Sequence, residues 1–96
     1  MTISLKKFGS ILTSRQPGQE ALAAFTPNLA ELATEEKLSL DFAGVDVLAP
    51  SWADEFLTPL QQHFGDKLTL RNVTNASAQA SIVLLEEIHK IKFNIV

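Results

Sequence analysis

Leu38-Ser39-Leu40-Asp41-Phe42 alternates apolar and polar residues without a break. In a β-strand successive side chains point to opposite faces, so this pattern describes a strand with one apolar face and one polar face. Three other stretches read the same way. Leu68 and Leu70 alternate with Thr69 and Arg71, Ile91, Phe93 and Ile95 with Lys92 and Asn94, and Ile3 and Leu5 with Ser4 and Lys6. Between them lie segments of helical period. The first runs from Arg15 to Ala33 with Leu22, Phe25, Leu29 and Leu32 on one stripe, flanked by Ala21 and Ala24, and with Ser14 as its start signal. Pro27 predicts a kink there, or two shorter helices. The second runs from Trp52 to Phe64 with Ala53, Phe56, Leu57, Leu60 and Phe64 inward, Asp54, Thr58, Gln61 and Gln62 outward, and Pro59 as a bend. The third runs from Ala76 to Lys90 with Ser81, Leu84, Leu85 and Ile88 inward, and Val83, Glu86 and Lys90 outward.

The order β-α-β-α-β-α-β implies crossover connections and a mainly parallel sheet. Parallel strands buried on both faces read as unbroken apolar runs, and these do not. All helices are therefore expected on one face, with Ser39, Asp41, Thr69, Arg71, Lys92 and Asn94 on a wet one. Crossovers of one hand on one face step the strands in sequence order, giving a short β-α superhelix of about four strands. The last strand, joined to its helix by few residues, is also compatible with an antiparallel return.

The chain has 96 residues, enough for one domain spanning 1–96. Its net charge of −3 and scattered Lys and Arg offer no basic stripe for a phosphate backbone, so nucleic acid is not an expected partner. It contains no cysteine, which removes disulfides and thiolate metal sites. No run approaches the ~20 apolar residues of a membrane span, and Met1 to Lys7 lack a signal core, so a cytoplasmic location without membrane attachment is expected.

The stretch Leu40-Asp-Phe-Ala-Gly-Val-Asp-Val-Leu-Ala-Pro-Ser-Trp-Ala-Asp-Glu-Phe-Leu57 resembles the central segment of STAS domains, the fold of bacterial anti-sigma factor antagonists and of sulfate-transporter tails. That family reads roughly L-D-L-S-G-V-x-x-I-D-S-S-G-L-x-x-L-L. The opening Phe8-Gly-Ser-Ile-Leu-Thr-Ser-Arg15 and the Ser51–Leu57 core look more like a divergent branch, the STAS-like DUF4325 family; the similarity extends roughly from Phe8 to Glu87. It implies a STAS-like β-α superhelix and docking of a protein partner through the loop and helix after the second strand, the partner being a kinase-like or anti-sigma-type regulator. In antagonists of this family the first Ser of D-S-S-G is phosphorylated to release the partner. Here Ala49 takes the Asp place, Pro50 the phosphorylated Ser, Ser51 the second Ser and Trp52 the Gly. Pro50 has no hydroxyl, which leaves Ser51 as the candidate phosphosite.

The chemistry-bearing residues each carry two readings. Ser51, three residues before Asp54, approximates a capping box, so it is a helix cap or a switch. Asp41, Asp46, Asp54 and Glu55 gather near one strand end, as acid–base or cation ligands or simply as helix-start and sheet-face acids. Ser10, Ser14 and Arg15 are candidates for anion binding at a helix start, or a turn in which Arg15 pairs with Asp41 or Asp54. His63 and His89 are too far apart for a local metal motif, and helix-end histidines complement the dipole. Trp52, Pro59 and His63 share one border of the second helix with Glu55 beside them. Trp52 is therefore an interface anchor or a core plug. No metal site, cofactor or assembled catalytic set is expected. The leading expectation is a non-enzymatic regulatory protein-interaction domain contacting its partner through Ser51, Trp52, Glu55, Pro59 and His63. The alternative is a small-ligand, nucleotide or anion-binding domain, and a homo-oligomer is a further option.

Overall fold

A computed structural model describes residues 1–32 and 36–96. Strands β1 (Thr2–Ser4), β3 (Leu38–Asp41), β5 (Leu68–Arg71) and β6 (Asn94–Ile95) form one parallel sheet in the order β1-β3-β5-β6. Two short strands, β2 (Ile11–Leu12) and β4 (Val47–Leu48), pair in parallel as a separate ribbon. The helices are α1 (Arg15–Leu29), α2 (Pro50–Phe64) and α3 (Ala76–His89).

The alternation sets the two faces. Leu38, Leu40, Leu68, Leu70 and Phe93 are buried, while Asp41, Ser39 and Thr69 are half-buried and Arg71, Lys92 and Asn94 exposed. On the polar face the hydroxyls of Ser39 and Thr69, paired across β3 and β5, share a hydrogen bond of 2.7 Å. The strand order and the separation of faces are those the alternation predicts.

Several local expectations are corrected. In the first strand only Thr2–Ser4 pairs; Leu5 opens a 3-10 turn and is still buried. The last strand is parallel and shorter than its alternation, pairing only over Asn94–Ile95. Lys90, in the left-handed region at φ 55°, ends α3 so sharply that the chain re-enters the sheet without a long loop. Both α1 and α2 run continuously through their prolines. Pro27 lies in the last turn of α1, where little helix remains to be disrupted. At Pro59 the burial of Phe56, Leu57 and Leu60 outweighs one missing backbone bond. Thr58, expected outward, is buried. Ala33, the expected end of the first helix, lies outside the described residues.

The core is centred on α2. Trp52 stacks on Phe56 at 4.9 Å, Phe8 meets Phe56 edge-on at 5.4 Å, and Phe25 of α1 reaches the same ring at 6.2 Å. Gly18 makes this crossing close: a Cβ there would stand 2.7 Å from the Trp52 carbonyl oxygen.

The third helix is rotated from its expected phase. Ala78, Ser81, Ile82 and Leu85 face inward; Leu84 is 39% and Ile88 59% exposed. The cause is polar. β4 has an outer edge that β2 does not cover, and α3 completes it. The Ser77 hydroxyl accepts from the Leu48 N–H at 3.1 Å, and the Ser81 hydroxyl donates to the Leu48 carbonyl at 2.6 Å. Leaving those buried backbone groups unpaired would cost more than exposing two aliphatic side chains that remain free to be covered otherwise. Glu86, expected outward, is instead mostly buried and accepts the Phe93 N–H at 2.9 Å.

Candidate functional site

The segment from β4 into α2 carries most of the residues singled out by sequence. Ala49, with extended φ and ψ, is the cap of α2, Pro50 is its first residue and Ser51 its second. Proline is favoured at a first helical position, where its missing N–H has no partner to lose. That places the helix start two residues before the expected Trp52 and takes Ser51 out of the capping position, which Ala49 fills without a side-chain cap hydrogen bond. The capping-box reading of Ser51 and Asp54 is therefore corrected. Ser51 stays half-buried in the first turn.

Trp52 is 1% exposed and sits in the aromatic cluster. It is a core plug, and the interface-anchor reading of this residue is corrected. Of its expected companions, Pro59 is half-buried and His63 exposed, its ring edge-on to Phe64 at 4.8 Å. Glu55 is half-buried and occupied, accepting from Arg15 Nη1 at 3.0 Å.

Asp54 is the centre of a polar network that sequence spacing did not bring together. Its Oδ1 accepts the Thr58 hydroxyl at 2.9 Å and lies 2.8 Å from His89 Nε2; its Oδ2 accepts from Arg15 Nη1 at 3.2 Å. Burial alone would raise the Asp54 carboxyl, but the hydrogen bonds from His89, Thr58 and Arg15 outweigh it and hold the group below the ordinary carboxylate value. The network ties the first residue of α1 and the last residue of α3 to α2. The Arg15–Asp54 pair is one the sequence offered; His89, 35 residues away, had no local signal.

This arrangement removes the cation from the expected anion site. Arg15 is held by two carboxylates, Ser14 makes no side-chain cap bond, and the Ser10 carbonyl accepts the N–H groups of Asp46 and Val47. The expected carboxylate cluster also divides. Asp41 accepts from Asn72 Nδ2 at 2.8 Å and from the Ala43 N–H at 2.9 Å, and those two bonds depress its pKa. Among the described residues no three His, Cys, Asp or Glu side chains converge to hold a metal ion.

Sequence reasoning missed the outer face of α3. From Ala76 through Leu85 this helix carries no charged residue. Its outward side is a shallow depression lined by Ala76, Gln79, Ala80, Val83, Leu84 and Glu87. Val83 also borders a second depression at the edge of β6, where Phe93, Asn94 and Ile95 are joined by the charged residues Asp66, Glu86 and Lys92. Ile88 of α3 and Ile95 of β6 are also half or more exposed. The absence of charge was a usable signal. A helix that is apolar all round is one whose outer side is covered.

These features define a class: a one-sided parallel α/β superhelix whose surface chemistry is a salt-bridged helix junction and an apolar helix face. The profile described as "STAS-like domain of unknown function (DUF4325)" matches residues 25–78, more than half of the chain, and the chain belongs to that family. No curated protein and no solved structure gave a significant match. Among the described residues no helix is long and apolar enough to cross a membrane.

Proposed function

We propose that this domain is a non-enzymatic, regulatory protein-interaction module whose contact surface is the outer face of α3. The observation that carries the reading is that face itself: Val83 at 51%, Leu84 at 39% and Ile88 at 59% exposure, on a helix uncharged over its first ten residues. Solvated helix faces normally carry Lys, Glu and Gln, and apolar side chains left in water represent burial energy that a partner can collect, about 25 cal/mol per Å². The flank of α2 is less suited, because Trp52 is buried and Glu55 already paired. The anion-binding alternative lacks support for the same kind of reason, since Arg15 is neutralised by Asp54 and Glu55.

The test is affinity capture with the immobilised domain, wild type against Leu84→Glu and His63→Ala, each first shown to melt like the wild type. The reading expects Leu84→Glu to lose the captured protein and His63→Ala to keep it. The reverse pattern returns the surface to α2, and thermal stabilisation by nucleotides or phosphate in place of any capture would overturn protein binding altogether.

A further inference from the structure

We propose that the protein seated on the outer face of α3 is a second copy of this chain, packed about a two-fold axis with the two α3 helices antiparallel. This rests on the preceding reading of that face and names its occupant.

The first argument is shape. The outward stripe of α3 is small at Ala76 and Ala80 and bulky at Val83 and Leu84, while Gln79, between the two alanines, donates back to the Val73 carbonyl at 3.1 Å. A two-fold interface makes residue i contact residue j while j contacts i. An antiparallel pairing centred between Ala80 and Val83 sets Ala80 against Val83 of the partner helix in both directions. It likewise sets Ala76 against Glu87. Val83 of each copy then fills the space above Ala80 of the other, as close helix packing requires, with Gln79 lying beside Leu84. A parallel pairing would oppose bulk to bulk.

The second argument is charge. Glu87 is the one charged residue lining the α3 depression, and the first turn of α3 contains no acidic residue. Asn75 caps the Ala78 N–H from its side chain, at 2.8 Å, so the positive end of this dipole has no carboxylate of its own helix beside it. The same register brings Glu87 of each copy to that end of the other helix, where a carboxylate is favourable. The centre of the contact, at Ala80 and Val83, carries no charge, so two acidic chains meet there without burying like charges. Asp66, Glu86 and Lys92 line the second depression between Val83 and Ile95, which confines the apolar contact to α3 itself. A helix of 14 residues is about 21 Å long, so the interface is small and its occupancy depends on concentration.

The experiment is sedimentation velocity on the full chain from about 1 μM to about 1 mM. The expected result is a mass moving from 10.5 kDa towards twice that value. Ala80→Glu places two carboxylates at the axis and should weaken association about tenfold or more, with an unchanged melting temperature because Glu suits an exposed helix position. The chain has no cysteine, so a single Ala80→Cys reports the axis directly. A short bis-maleimide cross-linker should join it into a covalent dimer, while Ala23→Cys on the exposed side of α1 should not be joined. A chain that stays at 10.5 kDa at the highest concentration, or a dimer indifferent to Ala80→Glu, overturns the proposal. If that monomer loses capture of a different protein through Leu84→Glu, only the identity of the partner is wrong. If capture is also indifferent, the reading of the face falls with it.

Discussion

Gly18→Ala should destabilise this protein, although the same change in an exposed helix interior stabilises by about 1 kcal/mol. Gly18 is buried where α1 crosses α2. A Cβ would lie 2.7 Å from the Trp52 carbonyl oxygen, 3.1 Å from Glu55 Cβ and 3.2 Å from Trp52 Cα. Ordinary contacts between heavy atoms of this kind begin near 3.5 Å, so the helices must separate by about half an ångström or more. Two of the three atoms are backbone, on a residue whose indole is locked between Phe8 and Phe56, so no side chain can simply swing aside. Overpacking of this kind costs about 1–3 kcal/mol. Separation also loosens the Phe25–Phe56 contact and the Arg15 bonds to Asp54 and Glu55. Set against the propensity gain, a net loss of up to about 2 kcal/mol is expected, or as much as roughly 8–16 °C in melting temperature for a domain of this size. Urea unfolding monitored by Trp52 fluorescence measures it as a lower midpoint at unchanged slope. An alanine variant more stable than wild type by about 0.5 kcal/mol or more would refute the close crossing.

Three further outcomes follow from the same geometry. Trp52→Ala should cost about 3–5 kcal/mol in equilibrium unfolding, since it empties the centre of the aromatic cluster; a loss below about 1 kcal/mol would mean that the indole is not a core plug. Ser51→Ala should stay within about 0.5 kcal/mol of wild type, whereas Asn75→Ala, which removes the real cap of α3, should cost about 0.5–2 kcal/mol, and the opposite ranking in thermal melts would overturn the assignment of caps. The Asp54 carboxyl is depressed below its ordinary value of 3.8 in the folded protein, so its contribution is fully present above that value and is lost as pH falls through the depressed one. Asp54→Asn should accordingly flatten the fall in stability below about pH 4, and an unaltered acid limb in a pH series of denaturation curves would show that the network does not hold this charge.

What the sequence announces depends on length scale. Leu38–Phe42 and Leu68–Arg71 display their faces because a two-residue period survives without knowledge of neighbours, and β-α alternation then restricts the order of strands. β2 and β4 were invisible because two residues cannot show a period; they exist through pairing with each other and through the serines of α3. Trp52 shows the same limit at one side chain. Its place at the border of a helical wheel was compatible with water or core, and only the approach of Phe8 and Gly18 decided between them.

By itself, then, the sequence determined the faces of the main strands, the number of helices, a sheet ordered along the chain and the family resemblance, all of which follow from local periodicity and short motifs. Tertiary structure alone decided the rotation of α3 and the assembly of Arg15, Asp54 and His89. Helix phase was left ambiguous by a segment in which Ala, Ile, Val and Leu occupy every side. The tie was broken by hydrogen bonds from Ser77 and Ser81 to Leu48, some 30 residues away, because an unpaired buried backbone group costs more than an exposed valine or leucine. That choice turned Leu84 and Ile88 outward and made a surface that no periodicity in the chain announces.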